Sequence, residues 1–329
     1  MAVFFSLKSI YLAFMPNWAR ELVWTAERLF ASPVLYVVIA AALFLEWRMP
    51  ARQHQRLITR GLWQDFFWFL TNRILWVGAV AMLGQATRAF YHAHLEFLTW
   101  DVTIQLPLAA RIVLSILVFD FLDWVRHYVK HRVPWLWVFH AVHHSQREMN
   151  LFTEFRVHVV ERVVNVILLF IPLSMFHVGI PADFYIALVL NWYQALYHAN
   201  IRTNYGPLKY ILVTPQSHRL HHSDQREHVD MNFGVIFTFW DRLFGTRWPD
   251  YDDYPSTGIN DAKFPNEQSN GVTGIFGTWA RQLAYPVEAL YRTRTQGEEP
   301  TAEDYRRAPA ITAPGDLGWK NEGRSISER

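Results

Sequence analysis

The chain has 329 residues and a formal net charge of +2 with histidine neutral, which lacks the strongly basic balance of a nucleic-acid-binding protein. It contains no cysteine, so disulfides, thiolate metal sites and cysteine nucleophiles are excluded, and any metal must be held by His, Asp, Glu or Asn. Hydrophobic residues make up 51% and include 15 Trp and 24 Phe, beside 15 His, so the mean hydropathy of +0.02 averages very apolar stretches with very polar ones.

Residues 1–31 set Trp18, Leu22, Trp24 and Phe30 against Arg20, Glu21 and Arg28. Lys8 interrupts the early apolar run and no basic stretch precedes it. The pattern predicts an amphipathic helix at a membrane surface rather than a cleaved signal peptide. Five apolar segments follow: Pro33–Trp47, Trp63–Gln85, Ile104–Val125, Val163–Val178 and Phe184–Tyr197. Any one alone reads equally as a buried helix of a soluble bundle. Together, with Arg clusters on alternate connections, they predict membrane spans. The regions 48–60, 126–162 and 202–247 carry excess Lys and Arg, which the positive-inside rule places in the cytoplasm. The short break His177–Pro181 predicts an antiparallel hairpin of the last two segments. The expected fold is therefore an all-α membrane protein with about four to five transmembrane helices. Asp250 to Gly271 is polar and turn-rich. Ile275 to Tyr291 predicts an amphipathic surface helix bent at Pro286. From Arg292 the composition predicts disorder or loose packing.

Nine histidines fall in four groups: His127 and His131; His140, His143 and His144; His198; and His218, His221 and His222. On a helix, residues i, i+3 and i+4 share a face. HxxxH therefore aims two imidazoles together, and each HxxHH aims three. Imidazole nitrogen is a borderline ligand suited to Fe, Zn, Cu and Ni. So many nitrogens exceed what one tetrahedral zinc needs and fit two neighbouring metals. A single HxxxH is weak, because such a His often snorkels or caps a helix end. Two HxxHH in one chain are a strong signal. The expected topology puts all four groups on the cytoplasmic side. His54, His92, His94, His177 and His228 are isolated and read as ordinary loop or interface residues. His158 reads the same way. A ligating His usually gives its other N–H to a carboxylate or carbonyl. Asp120, Asp123, Asp224, Asp230 and Asn232 are candidates for that role, with capping and surface charge as the alternative.

The run Asp123-Trp-Val-Arg-His127, His131-Arg132, Pro134-Trp-Leu-Trp137 and His140-Ala-Val-His-His144-Ser145 resembles the fatty acid hydroxylase/sterol desaturase superfamily. So do Thr214-Pro-Gln-Ser-His218-Arg-Leu-His-His222, Asn232-Phe-Gly234 and Trp240-Asp-Arg-Leu-Phe-Gly-Thr246. The resemblance covers roughly 105–250, which divides the chain into an N-terminal region 1–104, this domain, and a polar C-terminal region 251–329. It implies a cytosolic helical cap that carries the histidine clusters on the transmembrane helices. It also implies a non-haem diiron centre, with two iron ions, O2 as co-substrate, a lipid substrate reached from the bilayer, and an electron donor. No haem-binding domain is visible in this chain, so the donor is expected to be a separate ferredoxin- or cytochrome-type protein. By motif match the ligands are His127, His131, His140, His143, His144, His218, His221 and His222. His198 matches an additional ligand. Arg202 stands where some members carry a further His. The implied reaction is hydroxylation or desaturation of a fatty acyl, sterol or related lipid. Two other classes stay open: a membrane zinc hydrolase, against which stands the lack of a Glu base within the motifs, and a histidine-rich metal transporter, against which stands the placing of the clusters outside the apolar runs.

Overall fold

The structure is a computed structural model and describes residues 33–74, 77–176, 189, 191–267 and 271–297. It is helical, and among the described residues β pairing is confined to three isolated bridges. Helix α1 spans Pro33–Arg48, α2 Arg60–Ile74 and α3 Val77–Phe90. A π turn over Tyr91–Leu95 and two short 3-10 turns lead to α4, Leu108–Arg132. Then come α5 (Pro134–His144), α6 (Val159–Met175), α7 (191–198), α8 (Pro215–His221), α9 (Phe239–Leu243) and α10 (Val272–Gln296).

The expectation of four to five transmembrane helices is corrected. Among the described residues, no helix is long and apolar enough to cross a membrane. Helix α1 has 16 residues, which is about 24 Å against a hydrocarbon core of about 30 Å. The segment 63–85 is divided between α2 and α3. Within α2, Gln64, Asp65 and Asn72 are buried in protein. Helix α4 has 25 residues, but Asp120, Asp123, Arg126, Lys130 and Arg132 occupy its second half. Helix α6 stops at 17 residues. Hydropathy reads a buried helix and a spanning helix alike, and here length and interior charge decide. With no spanning helix among the described residues, the charges of the connections fix no side of a membrane, and a cap on transmembrane helices is corrected with it. The predicted N-terminal amphipathic helix, the hairpin at 177–183, residues 184–188 and 190 of the fifth segment and the tail beyond 297 lie outside the described residues.

Three apolar clusters hold the helices together. Trp68 of α2, Trp137, Val138, Ala141 and Val142 of α5, and Tyr285 and Ala289 of α10 form one. Trp68 Nε1 also donates to Gln282 Oε1 of α10 at 2.9 Å. The helix expected over 275–291 is thus longer, retains Pro286 inside it, and packs one face into the core rather than lying free on the surface. Ala42, Leu62, Phe69, Phe152, Phe155 and Ala195 join α1, α2, the 151–155 turn and α7. Phe119, Phe176, Val235 and Ile236 join α4 and the end of α6 to the 235–237 loop.

The chain reverses sharply between α4 and α5. Val133 ends one helix and begins the other, and Pro134 cannot continue the first but suits the first turn of the second. Helix α8 is only seven residues long, and a capping box fixes its start. Ser217 N donates to Thr214 Oγ1 at 3.1 Å, and Thr214 N donates to Ser217 Oγ at 2.9 Å.

Candidate metal centre

Helices α4, α5, α7 and α8 bring all nine clustered histidines together. His127, His131, His140, His144 and His221 form one group, and His143, His198, His218 and His222 form another. Within each group one nitrogen per ring lies within 4.8 Å of all the others. The HxxHH runs do not aim three rings at one point. Each gives its i, i+4 pair to one group and its middle histidine to the other. His140 and His144 face the first group and His143 the second, while His218 and His222 face the second and His221 the first. The groups abut, with the rings of His144 and His222 stacked at 4.2 Å.

The outer nitrogens of several rings are held. His127 Nδ1 donates to Phe233 O at 3.0 Å, His221 Nδ1 to Met231 O at 2.8 Å and His198 Nδ1 to Gln194 O at 2.7 Å. Each bond leaves the lone pair on Nε2, turned inward. The Nε2 atoms of His127 and His221 are buried with no hydrogen-bond partner, as is that of His131. His198 Nε2 faces His218 Nε2 at 2.7 Å and His143 Nε2 at 3.1 Å. Ring nitrogens this close in a dry interior need a proton or a cation between them, and a cation there makes ligands of the buried nitrogens that have no hydrogen-bond partner. An all-imidazole donor set of this size fits iron and also accepts zinc, copper or nickel. The residues present fit a pair of metal ions.

Burial lowers the pKa of all nine rings, and their mutual proximity adds to the effect at most of them. His140 and His198 are pushed down to about 3. The rings are therefore neutral, with lone pairs free, at physiological pH. The same depression makes the fold acid-labile. An unfolded His takes up its proton near pH 6.5, whereas these buried rings do not. Below that value the unfolded state binds more protons, so stability falls as pH falls. A denaturant midpoint flat above about pH 7 and dropping steeply between about pH 6.5 and 4 is expected. A midpoint independent of pH across that window would contradict the burial of nine neutral imidazoles.

Glu161 on α6 is a partner that no motif announced. It lies 3.1 Å from His140 Nδ1 and forms ion pairs with Lys130 and Arg126. Burial pushes its carboxyl up, but Lys130, His140 and Arg126 outweigh this and hold it well below the ordinary range. Lys130 Nζ also stands 3.1 Å from His140 Nδ1. An ammonium only donates, so a lone pair on His140 Nε2 requires that Nδ1 give its proton to Glu161. Glu161→Gln keeps the shape but can present its amide N–H to the ring, and metal affinity is expected to fall about 10- to 100-fold. Isothermal titration of the metal-free chain checks this, and unchanged affinity would remove Glu161 from that role.

A clamped loop supplies the other partners. Asp230 and Asn232 adopt left-handed backbone, φ 63° and 58°, which short polar side chains tolerate. Between and beyond them, the carbonyls of Met231 and Phe233 turn to His221 and His127. Asp241 holds this loop by accepting from Phe233 N at 2.8 Å, Gly234 N at 2.9 Å and Trp124 Nε1 at 2.9 Å. A Cβ on Gly234 would come within 2.7 Å of Phe237 O, so only glycine fits there. Asp120 secures the next turn through Ile236 N at 2.7 Å and Trp240 Nε1 at 2.9 Å.

Among the carboxylates and amide read from sequence, Asp230 alone approaches a clustered ring, with its carboxylate 3.6 Å from His131 Nδ1. Asp123 pairs with Arg126, Asp224 accepts from Ser256 Oγ, and Asn232 accepts from Trp248 N. His158 lies apart and contacts Leu283 O at 3.1 Å. His228 is buried against Ser223 Oγ, and His54, His92 and His94 are exposed. His177 lies outside the described residues. Arg202 turns away, over the Tyr254 ring at 4.4 Å. Beside the rings is a cavity of about 40 Å³, lined by His143, His198 and His218 with Glu154, Tyr197 and Glu161 among others. Sequence reading also passed over Glu154, which is 3.4 Å from His198 Nδ1 and which burial pushes up to about 8.

The fatty acid hydroxylase family model matches residues 112–246. Ornithine lipid hydroxylase OlsE of Rhizobium tropici is 29% identical over 223 residues, covering 68% of this chain and 62% of that protein. Alkylglycerol monooxygenase of Homo sapiens is 37% identical over 122 residues, 36% of this chain and 26% of that protein. Fatty acid hydroxylase vlmA of Lecanicillium sp is 30% identical over 173 residues, 47% of this chain and 45% of that protein. The chain thus spans less than two thirds of the length of each of these relatives. No solved structure matches it.

Proposed function

From a chain whose residues 112–246 match the fatty acid hydroxylase family model, we propose an O2-dependent non-haem diiron oxygenase that hydroxylates a C–H bond of a lipid. The observation that carries the proposal is the pairing of two buried all-histidine groups, five and four rings, packed side by side. His127, His131, His140, His144 and His221 would hold one iron, and His143, His198, His218 and His222 the other. Iron bound there supplies the oxygen activation and attack on an unactivated C–H bond that no side chain performs.

The chain's own residues prepare the site. Burial keeps the rings neutral and excludes bulk water. Met231 O, Phe233 O, Gln194 O and Glu161 fix the ring orientations. Glu154, with its raised pKa, holds a proton at its carboxyl near neutral pH beside the small cavity. Insertion of one oxygen atom of O2 into C–H, with the other leaving as water, consumes two electrons and two protons. A separate ferredoxin- or cytochrome-type protein would supply the electrons. The names of the relatives, hydroxylases and monooxygenases, favour oxygen insertion over desaturation. They also favour a lipid with an alkyl or acyl chain.

The test is metal content and oxygen incorporation together. Purified protein should contain about two irons per chain, one for each histidine group. With 18O2, a reduced ferredoxin and a lipid extract, one labelled oxygen should enter a lipid product. One zinc per chain, with no label incorporated after iron reconstitution, would overturn the reading in favour of a hydrolase.

A further inference from the structure

The basic run at 48–60 takes no part in the metal centre, and the fold gives its end a shape. Arg56, Arg60 and, from the segment after α5, Arg147 stand round one surface cavity of about 770 Å³. Small-molecule sites span about 300–1,000 Å³. The walls are pinned. Gln55 Nε2 donates to Met149 O at 2.9 Å, Gly61 N to Glu148 Oε2 at 3.2 Å and Gln146 Nε2 to Asp65 Oδ2 at 2.6 Å. A Cβ on Gly61 would lie 2.7 Å from Gln146 Oε1, so glycine lets the start of α2 close on this segment.

The two carboxylates in the wall are committed to other donors. Glu148 accepts from Gly61 N, and Glu267 accepts from the buried Arg156 at 2.6 Å. The guanidinium groups of Arg56, Arg60 and Arg147 have no ion pair or hydrogen bond among the described residues. Like charges held round one hollow repel, and a multiply charged anion relieves the repulsion. Guanidinium also matches phosphate oxygens two at a time. Trp63, 50% exposed, stands beside them, and with Ile58 it makes up the apolar lining. One indole face offers a stacking surface for a flat ring. It is too small to cover an acyl chain.

We propose that this cavity binds a soluble organic phosphate in which phosphate groups are joined to a flat ring, as in a nucleotide. The phosphates lie against the three arginines and the ring against Trp63. None of the nine clustered histidines lines the cavity, so the proposal stands apart from the oxygenase reading.

Isothermal titration of the full chain with adenosine diphosphate tests it, with adenosine, pyrophosphate and dihexanoylphosphatidylglycerol as comparisons. The diphosphate should bind one per chain, and adenosine at least about ten-fold more weakly. Arg60→Gln and Arg147→Gln should each weaken the diphosphate about ten-fold, the loss of a charge-assisted hydrogen bond. Trp63→Leu should weaken it about ten-fold and leave pyrophosphate unchanged. All three residues are exposed, and far-UV helicity checks that each variant keeps its fold. Arg226→Gln, exposed elsewhere, should change nothing. No binding of the diphosphate at millimolar concentration would overturn the proposal, as would an affinity untouched by both arginine variants. Pyrophosphate binding as tightly as the diphosphate, with no effect of Trp63→Leu, would overturn it in favour of a bare anion site. Tighter binding of the short-chain phosphatidylglycerol would overturn it in favour of a lipid headgroup.

Discussion

His143→Ala and His144→Ala are expected to lose different metal ions although the residues are adjacent. His144 belongs to the five-ring group and His143 to the four-ring group. Each variant should retain about one of two metal equivalents, with different spectroscopic signatures for the ion left behind. Activity in both should fall by more than about 100-fold, because losing even the outer partner of a ligand costs 10- to 100-fold. The same logic pairs His221→Ala with His144→Ala and His222→Ala with His143→Ala. Metal analysis and iron spectroscopy on the four variants check it. Full activity in any of them, or identical residual spectra in His143→Ala and His144→Ala, would overturn the two-group assignment.

Removing Arg156 is expected to destabilise the fold by about 3–5 kcal/mol. Arg156 and Asp65 are both fully buried, each with a relative exposure of 0%. The guanidinium donates to Asp65 Oδ1 at 2.5 Å, to Ser145 Oγ at 3.1 Å and to Glu267 Oε1 at 2.6 Å. It therefore joins α2, the residue after His144, and the segment leading to α10. Arg156→Met leaves Asp65 as a buried carboxylate without its cation, which is the costly half of breaking such a pair. Adding Asp65→Asn should recover part of the loss, and the double-mutant cycle isolates the coupling. Urea unfolding of the four chains measures it. A loss under about 1 kcal/mol in Arg156→Met would show that the cluster carries little of the stability.

The membrane-spanning fold was misread for a definite reason. Pro33–Trp47 and 63–85 are apolar enough to look like spans, but sequence does not show that Asp65 meets Arg156, or that Asn72 donates to Phe155 O at 2.7 Å. Those contacts come from residues about 80 to 90 positions away. Tertiary partners make a polar residue in an apolar helix a core residue rather than a membrane one. The partners of the histidine rings were only partly legible for a similar reason. Asp230 could be found by proximity in sequence. Met231 O, Phe233 O and Gln194 O could not, since every residue carries a carbonyl and only the fold says which one turns inward.

What the sequence determined by itself was which histidines cluster. Without cysteine, histidine is the abundant nitrogen ligand of the chain, and the spacings HxxxH and HxxHH fix which rings share a helix turn. These are local properties, set by residue type and helical period. The division of the nine rings into five and four was decided only by tertiary structure. So was Glu161 rather than Lys130 as the acceptor for His140, and so was the clamp of Asp241 on the loop behind His221. The first depends on four helices meeting, the second on α6 reaching α5, and the third on Asp241 folding back over eight residues while it also meets Trp124 of α4, at distances of about 3 Å. Packing of the whole core sets such distances, and no short stretch of residues encodes them.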